Sequence, residues 1–181
     1  MVEPIRSKRA IGNIKKLLVD NPRNLALFVV GINTAYRASD LLTLTVGQVR
    51  GLQPGDVLRV KQSKTSKYRS VTVNSTVANV IEAYLIKGNR NNDDEPLFIG
   101  RRGALRVPTV TNIVKGWCRD VGLKGNYGSH TLRKTWGFWQ RDRGTPIPIL
   151  MEAFGHASQQ QTMQYLGIQA DEIAQIYEME L

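Results

Sequence analysis

Each of the two histidines in the chain precedes a residue that could act with it on a phosphate. Arg133 follows His130 one helical turn later, and Tyr165 follows His156 after nine residues. Residues three apart on a helix point to the same side, so His130 and Arg133 could share one anion. Histidine exchanges protons near neutral pH, and tyrosine can be a covalent nucleophile. Taken alone, each pair also fits a surface histidine beside an arginine, or a tyrosine packed at a helix end.

Three further charged residues extend this set. Arg37 follows an apolar segment, where a buried guanidinium needs a partner, and Asp40 lies one turn further on. Lys64 lies in a polar, basic stretch between two segments that look like strands. Arginine offers a planar fork of donors that fits phosphate oxygens, and lysine can supply a proton. The open alternatives are an ordinary helix-end ion pair for Arg37 and Asp40, and a solvated turn for Lys64.

Together these residue types could cleave a phosphodiester through a covalent intermediate. The sequence has no evident carboxylate cluster of the two-metal type, and two histidines make a poor zinc site. We therefore expect neither a metal nor any other cofactor.

The charge of the chain favours a polyanion as partner. The net charge is +10, although residues 161–181 hold four acidic groups and no basic one. No apolar run is long enough to span a membrane, and the first residues lack the apolar core of a signal peptide. A single cysteine, Cys118, excludes an internal disulfide and fits a reducing compartment. We expect nucleic acid as the partner, and no membrane.

The spacing of apolar residues predicts helices around one β-hairpin. The expected helices cover 9–19, 22–35, 39–44 (capped by Ser39), 75–87, 108–121, 130–142, a segment from Pro146 to Gly155, a short one capped by Ser158, and 170–180. The expected strands cover 57–61 and 69–73, with a short strand at 97–99. The predicted fold class is mainly α with a small antiparallel sheet. We expect one catalytic domain over 1–181, with 168–181 as an acidic tail and no separate N-terminal DNA-binding domain.

The order of the candidate residues resembles that of the tyrosine recombinases of the phage integrase family. Residues 37–42, Arg-Ala-Ser-Asp-Leu-Leu, resemble the first family box, and Lys64 lies where the family keeps a lysine on a hairpin. Residues 130–133, His-Thr-Leu-Arg, resemble the His-x-Leu-Arg box, and residues 154–156, Phe-Gly-His, resemble Leu-Gly-His. Tyr165 follows at the family spacing. The resemblance implies the catalytic-domain fold of DNA breaking-rejoining enzymes.

The chain departs from the usual family pattern at three residues and at its N-terminus, where most members have an additional DNA-binding domain. The sequence therefore leaves open an excised catalytic domain or a short, single-domain member. Asp40 replaces the more usual glutamate, Lys134 stands where a second histidine often follows the arginine, and Tyr36 precedes Arg37 in place of a small or aliphatic residue. None of these changes removes a catalytic group.

The resemblance also implies a function, that of a site-specific DNA recombinase or integrase of a mobile element. Tyr165 would form a 3′-phosphotyrosine intermediate, and strand exchange and religation would follow without metal or ATP. Arg37 and Arg133 would clamp the phosphate, and Lys64 would protonate the leaving 5′-oxygen. His130 would accept the tyrosine proton, and His156 would donate a hydrogen bond to the phosphate. Asp40 would orient Arg37 and His130.

The partner implied is double-stranded DNA in the bacterial cytoplasm or nucleoid. We expect a homotetramer on DNA, a monomer when free, and accessory DNA-bending or directionality proteins. Other basic residues should contact phosphates of the DNA backbone. These residues are Lys61, Lys67, Arg69, Arg101, Arg102, Arg106, Lys134, Arg141 and Arg143.

Two alternatives stay open from the sequence. A type IB topoisomerase relaxes DNA by the same tyrosine chemistry, and a non-cleaving DNA-binding regulator could keep the fold. An RNA-binding module would need an aromatic-rich strand signature that the sequence lacks.

The tail helix could pack on its own domain or on a neighbouring protomer. Tyr177, in this tail, has the wrong spacing from His156 to be the nucleophile.

Overall fold

The computed structural model describes residues 1–62 and 68–168. The described helices are α1 (Lys8–Leu17), α2 (Pro22–Thr34), α3 (Ala38–Leu41), α4 (Val46–Val49), α5 (Ser75–Lys87), α6 (Val107–Asp120), α7 (Ser129–Asp142), α8 (Ile147–Phe154) and α9 (Gln159–Leu166). The described strands are β1 (Val57–Lys61), β2 (Tyr68–Thr72), β3 (Ile99–Gly100) and β4 (Gly103–Ala104). Among the described residues, no helix has the length and apolar character to cross a membrane.

The strands form two separate antiparallel pairs. In the first pair Val57 lies opposite Thr72 and Lys61 opposite Tyr68, so β1 and β2 make a regular hairpin. Leu58 and Val60 are buried, while Val57, Arg59 and Lys61 are exposed. This alternation arises because successive side chains of a strand point to opposite faces.

The chain divides into two compact units, Met1–Trp136 and Gly137–Leu181. In the first unit, α2 is buried over most of its length, as its apolar sequence predicts. Pro22 occupies its first turn, and the Asn21 side chain accepts a hydrogen bond from the backbone N–H of Asn24. The ring of Phe28 on α2 meets Trp117 of α6 edge to face, with centroids 5.8 Å apart. The core of this unit thus forms around α2.

In the second unit, α8 and α9 form a short helical hairpin. Helix α8 ends at Gly155, whose φ of 62° is in the left-handed region that favours glycine. Ser158 caps α9, its hydroxyl accepting a hydrogen bond from the N–H of Gln161. A Cβ atom on Gly137 would collide with Phe154 and come within 2.8 Å of Leu166, so this glycine permits close packing.

The predicted fold class is confirmed, and most helices begin or end within two residues of their predicted bounds. Ser39 does not cap α3: Arg37 holds that position with extended backbone, and the helix ends at Leu41. The short strand expected at 97–99 begins instead at Ile99 and pairs with β4. Helix α4 was not expected, although Thr45 and Gln48 form a reciprocal capping box at its start. The tail helix at 170–180 lies outside the described residues.

Candidate active site

Arg37 begins the short helix α3 and is held by the carboxylate one turn further on. Its Nη1 atom lies 3.7 Å from Oδ2 of Asp40, whose side chain is only 1% exposed. The Arg37 side chain is 19% exposed. Among the described residues Nη1 of Arg37 is buried and has no hydrogen-bond acceptor. The predicted ion pair is present, while the expected contact between Asp40 and His130 stays a prediction.

The backbone turn before Arg37 holds a second arginine. Helix α2 ends at Ala35, whose φ of 53° is left-handed, an uncommon conformation for a residue with a side chain. Nη1 of Arg133 donates a hydrogen bond of 2.6 Å to the carbonyl oxygen of Ala35. Nη1 of Arg69, on β2, donates to the same oxygen at 3.0 Å. One carbonyl, two residues before Arg37, therefore binds both guanidinium groups.

Tyr36 fills the space between this turn and the hairpin. It is buried, and its hydroxyl donates to the carbonyl oxygen of Leu58 at 2.8 Å and lies 3.3 Å from that of Arg69. The Arg69 guanidinium lies over the ring, 5.4 Å from its centroid. Burial raises the pKa of Tyr36 to about 12, against the opposing effect of the Arg69 charge. The hydroxyl is thus a neutral structural donor.

Helix α7 carries His130 and Arg133 at its start. His130 is exposed, whereas Arg133, one turn on, is only 2% exposed. The hydroxyl of buried Thr131 accepts a hydrogen bond from the N–H of Gly128, which fixes the entry into the helix. Leu132 packs against Gly31 of α2, where a Cβ would come within 2.6 Å of Cδ1 of Leu132. This close packing holds α7 near α2 and so helps to place Arg133, the next residue, inside the first unit.

Lys134 is unlike the other basic residues expected to follow DNA phosphates. It is only 6% exposed. Burial lowers the pKa of its ammonium, and the positive charge of Arg6 acts in the same direction. A contact between Lys134 and DNA stays a prediction. The burial of Lys134 is unfavourable for such a contact.

The second unit holds His156 and Tyr165 together. Their ring centroids are 5.1 Å apart, and Phe154 lies 5.0 Å from His156 and 5.2 Å from Tyr165. Both side chains are half-buried, and the hydroxyl oxygen of Tyr165 is buried. The nine-residue spacing brings the two rings together because α8 ends before Gly155 and α9 begins after Ser158. The chain reverses between the two helices, so that Tyr165 lies beside His156.

Thr162 fixes the orientation of the His156 ring. Its Oγ1 lies 3.0 Å from Nδ1 of His156 and donates its own proton to the carbonyl oxygen of Ser158 at 3.3 Å. A hydroxyl has one proton, so Oγ1 accepts from His156 when that proton goes to Ser158. In that arrangement the imidazole proton is on Nδ1 and Nε2 is the nitrogen available for chemistry, and we predict this tautomer. In that tautomer Nε2 accepts a proton when the ring is neutral and donates only when the ring is charged.

Most of the other predicted basic residues are exposed. Arg101 and Arg102 lie in the turn between β3 and β4, and Arg106 caps α6. Lys61 and Arg143 are also exposed, and Arg141 is half-buried. Lys64 and Lys67 lie outside the described residues. Within the described part of the chain, no three of His, Cys, Asp and Glu are placed to hold a metal.

The structure therefore brings together two groups of predicted residues. Arg37, Asp40 and Arg133 meet around the turn at Ala35 in the first unit, and His156 meets Tyr165 in the second. The sequence did not reveal Ala35, Tyr36 and Thr162 as parts of these groups. In the sequence Tyr36 stands out as a departure from the family pattern, and Thr162 lies six residues after His156 and one turn before Tyr165.

Comparison with known proteins identifies the family. The model of the Phage integrase family matches residues 8–172, which include every residue of both groups. The chain belongs to the phage integrase family. The predicted resemblance is thereby confirmed, and with it the enzyme class, a tyrosine-type site-specific recombinase.

Curated relatives of this integrase-family chain differ in length. The probable integrase/recombinase YoeC of Bacillus subtilis is 34% identical over 182 residues, which cover 99% of the chain and 97% of that protein. The tyrosine recombinase XerC of Thermodesulfovibrio yellowstonii is 27% identical, over 86% of the chain and 54% of its own length. The chain thus spans nearly all of YoeC but about half of the Xer-type relatives.

Solved structures of family members share the fold. The XerA recombinase superposes with a TM-score of 0.79 and 19% identity, over 98% of the chain and 65% of that protein. The XerH site-specific recombinase, bound to its palindromic difH substrate, superposes with a TM-score of 0.75 and 21% identity, over 99% and 54%. At these identities the likeness concerns the fold.

Proposed function

We propose that the chain is a DNA strand transferase that binds double-stranded DNA and cleaves it through Tyr165. The observation that carries the proposal is the contact between His156 and Tyr165, within a family match that covers both. A tyrosine whose ring contacts that of a histidine fits a covalent nucleophile with a base nearby.

In the proposed reaction, Oη of Tyr165 attacks the scissile phosphorus. A P–Oη bond forms and the bond from phosphorus to the 5′-oxygen breaks, which leaves a 3′-phosphotyrosine and a 5′-hydroxyl. The phenol proton passes to a histidine, with His130 and His156 as the candidates, and Lys64 protonates the leaving oxygen. The 5′-hydroxyl of a second strand then attacks the phosphotyrosine and restores Tyr165. Because each step exchanges one phosphodiester for another, the reaction needs no nucleotide hydrolysis.

Arg37 and Arg133 are proposed to neutralise the charge that develops on the non-bridging oxygens. Both are anchored, Arg37 by Asp40 and Arg133 by the carbonyl of Ala35, so little reorganisation is required. Replacing Arg133 with alanine should slow cleavage by about 10²- to 10³-fold, as does loss of one oxyanion donor elsewhere. The proposal extends to a tetramer on DNA with accessory proteins, as expected from the family.

Covalent trapping tests the proposed chemistry. A library of randomised nicked duplexes with 5′-bridging phosphorothiolates is incubated with the wild type and with Tyr165→Phe in EDTA. We expect an SDS-resistant protein–DNA complex from the wild type and none from Tyr165→Phe. A complex that survives in Tyr165→Phe would refute this nucleophile. Salt-sensitive DNA binding without any complex would instead indicate a non-cleaving binding protein.

A further inference from the structure

The carbonyl oxygen of Ala35 connects two arginines that are far apart in the sequence. Arg133 reaches it from α7 and Arg69 from β2, at 2.6 and 3.0 Å. Hydrogen bonds from charged donors are about twice as strong as neutral ones, so this oxygen is a firm anchor for both. The turn at Ala35 leads directly into Tyr36 and Arg37.

Arg69 holds this turn by more than one contact. Its guanidinium covers the ring of Tyr36 at 5.4 Å, and its backbone carbonyl lies 3.3 Å from the Tyr36 hydroxyl. The other contact of that hydroxyl, with the carbonyl of Leu58, ties the turn to β1 as well. The first hairpin is therefore fastened to the turn that presents Arg37 and accepts Arg133.

From these contacts we infer that Arg69 is a positioning residue for the phosphate clamp and acts through Arg133. This inference rests on the proposed function. The side chain was expected to follow a DNA phosphate, but it is half-buried and directed at Ala35 and Tyr36. Without Arg69, the left-handed turn at Ala35 loses one of its hydrogen bonds. The carbonyl oxygen that accepts from Arg133 is then held less firmly.

The effect should fall on the chemical step rather than on DNA affinity. Misplacement of a reacting group by about 1 Å can slow a reaction by about 100-fold. We expect Arg69→Ala to slow single-turnover cleavage by about tenfold or more at saturating DNA. Arg69→Lys keeps the charge and one donor and should recover part of the rate. Arg59→Ala is the matched control, because Arg59 is an exposed arginine on the neighbouring strand of the same hairpin.

A double-mutant cycle tests whether Arg69 acts through Arg133. Cleavage rates are measured on the trapping substrate for the wild type, Arg69→Ala, Arg133→Lys and the double variant, with urea unfolding as a check on folding. We expect Arg69→Ala to slow the wild type strongly and the Arg133→Lys variant by less than about threefold. Equal effects in both backgrounds, or an equal effect of Arg59→Ala, would overturn the inference.

A second measurement does not depend on activity. NMR of ¹³C,¹⁵N-arginine-labelled free protein, with Arg133 assigned through Arg133→Lys, reports rotation of its guanidinium. We expect slow rotation in the wild type and faster rotation in Arg69→Ala. An unchanged Arg133 signal would overturn the inference even if the wild type cleaved DNA. A wild type that forms no covalent complex would instead refute the proposed function, while the NMR result would still decide the contact.

Discussion

Nδ1 of His156 lies 3.0 Å from Oγ1 of Thr162, a residue with no exposed surface. When the Thr162 hydroxyl gives its proton to Ser158, the histidine donates from Nδ1, and this is the tautomer we predict. The same contact fixes the plane of the ring that lies beside Tyr165. We therefore predict that Thr162, which does no chemistry itself, determines which nitrogen of His156 takes part.

The first prediction concerns this contact. Thr162→Val keeps the side-chain shape but removes the acceptor, so the proton of His156 should redistribute to Nε2 and cleavage should slow by about tenfold or more. Thr162→Ser retains the hydroxyl and should stay close to the wild type. The rate of covalent-complex formation and the ¹⁵N shifts of His156 measure the two effects. Unchanged nitrogen shifts in Thr162→Val would contradict the assigned tautomer.

The second prediction concerns the packing of α2 on α7. A Cβ on Gly31 would lie 2.6 Å from Cδ1 of Leu132, which would have to move, and 3.0 Å from Cβ of Leu132, which is a tight contact. Gly31→Ala should lower the free energy of unfolding by about 1–3 kcal/mol through overpacking. Gly12→Ala on α1, where a Cβ meets nothing within 4 Å, should raise it by about 0.5–1 kcal/mol. Urea unfolding of the two variants checks the pair, and equal signs would be inconsistent with this packing.

The third prediction concerns an ion pair that the sequence did not suggest. Arg90 is only 6% exposed and donates to Glu95 Oε2 at 2.8 Å and to the carbonyl oxygens of Pro96 and Leu97. Arg90→Ala removes the donor to three oxygens, of which only that of Leu97 belongs to a buried residue, so it should cost about 1–3 kcal/mol of stability. Arg119→Ala breaks a pair with Asp120 in which the arginine is 82% exposed, and should cost under about 1 kcal/mol. Urea unfolding compares the two, and a similar cost for both would argue against the Arg90 network.

Local features of this fold could be read from the sequence because they depend on neighbouring residues. The apolar run of α2 and the Ser158 cap of α9 are patterns within one element, and both are present. The spacing between His156 and Tyr165 matches that of the family, and one turn between two short helices brings the two rings together.

Contacts between distant polar atoms could not be read in this way. Arg133 reaches the carbonyl of Ala35 across 98 positions, and no periodicity reports which backbone oxygen a side chain will find. For the same reason Arg69 looked like any other basic residue of the hairpin. Ser39 failed as a cap because the turn at Ala35 sets the start of α3 two residues earlier than propensity alone suggests.

The fourth prediction is a loss of stability at alkaline pH. Burial raises the pKa of Tyr36 from 10.0 to about 12 in the folded state. The unfolded state therefore releases this proton first, so the stability is complete below pH 10 and falls as the pH rises toward 12. Burial of the Cys118 thiol, which raises its pKa from 9.0 to about 12, adds to the loss from pH 9 upward.

Tyr36→Phe tests the tyrosine contribution. It should be less stable than the wild type at neutral pH by about 1–2 kcal/mol, since the carbonyl of Leu58 loses its donor. Its stability should then decline less steeply between pH 10 and 12. Tyr68→Phe, at a residue 72% exposed, is the control and should follow the wild type. Urea unfolding at several pH values measures the slopes, and parallel slopes for Tyr36→Phe and the wild type would contradict the assignment.

The fifth prediction addresses the exposed arginines of the second hairpin. Arg101 and Arg102 in its turn and Arg106 just beyond it form one local cluster of positive charge. If each meets one phosphate, the triple alanine variant should reduce the salt slope of DNA affinity by about 2–3, because each phosphate contact contributes about 0.9. A duplex of random sequence suffices as the probe, because phosphate contacts do not depend on base sequence.

The control is a triple alanine variant of the exposed Lys16, Lys115 and Lys124, which lie in separate parts of the chain. It removes the same charge and should change the slope less. Equal slopes for the two triples would show that net charge, rather than this cluster, determines the affinity.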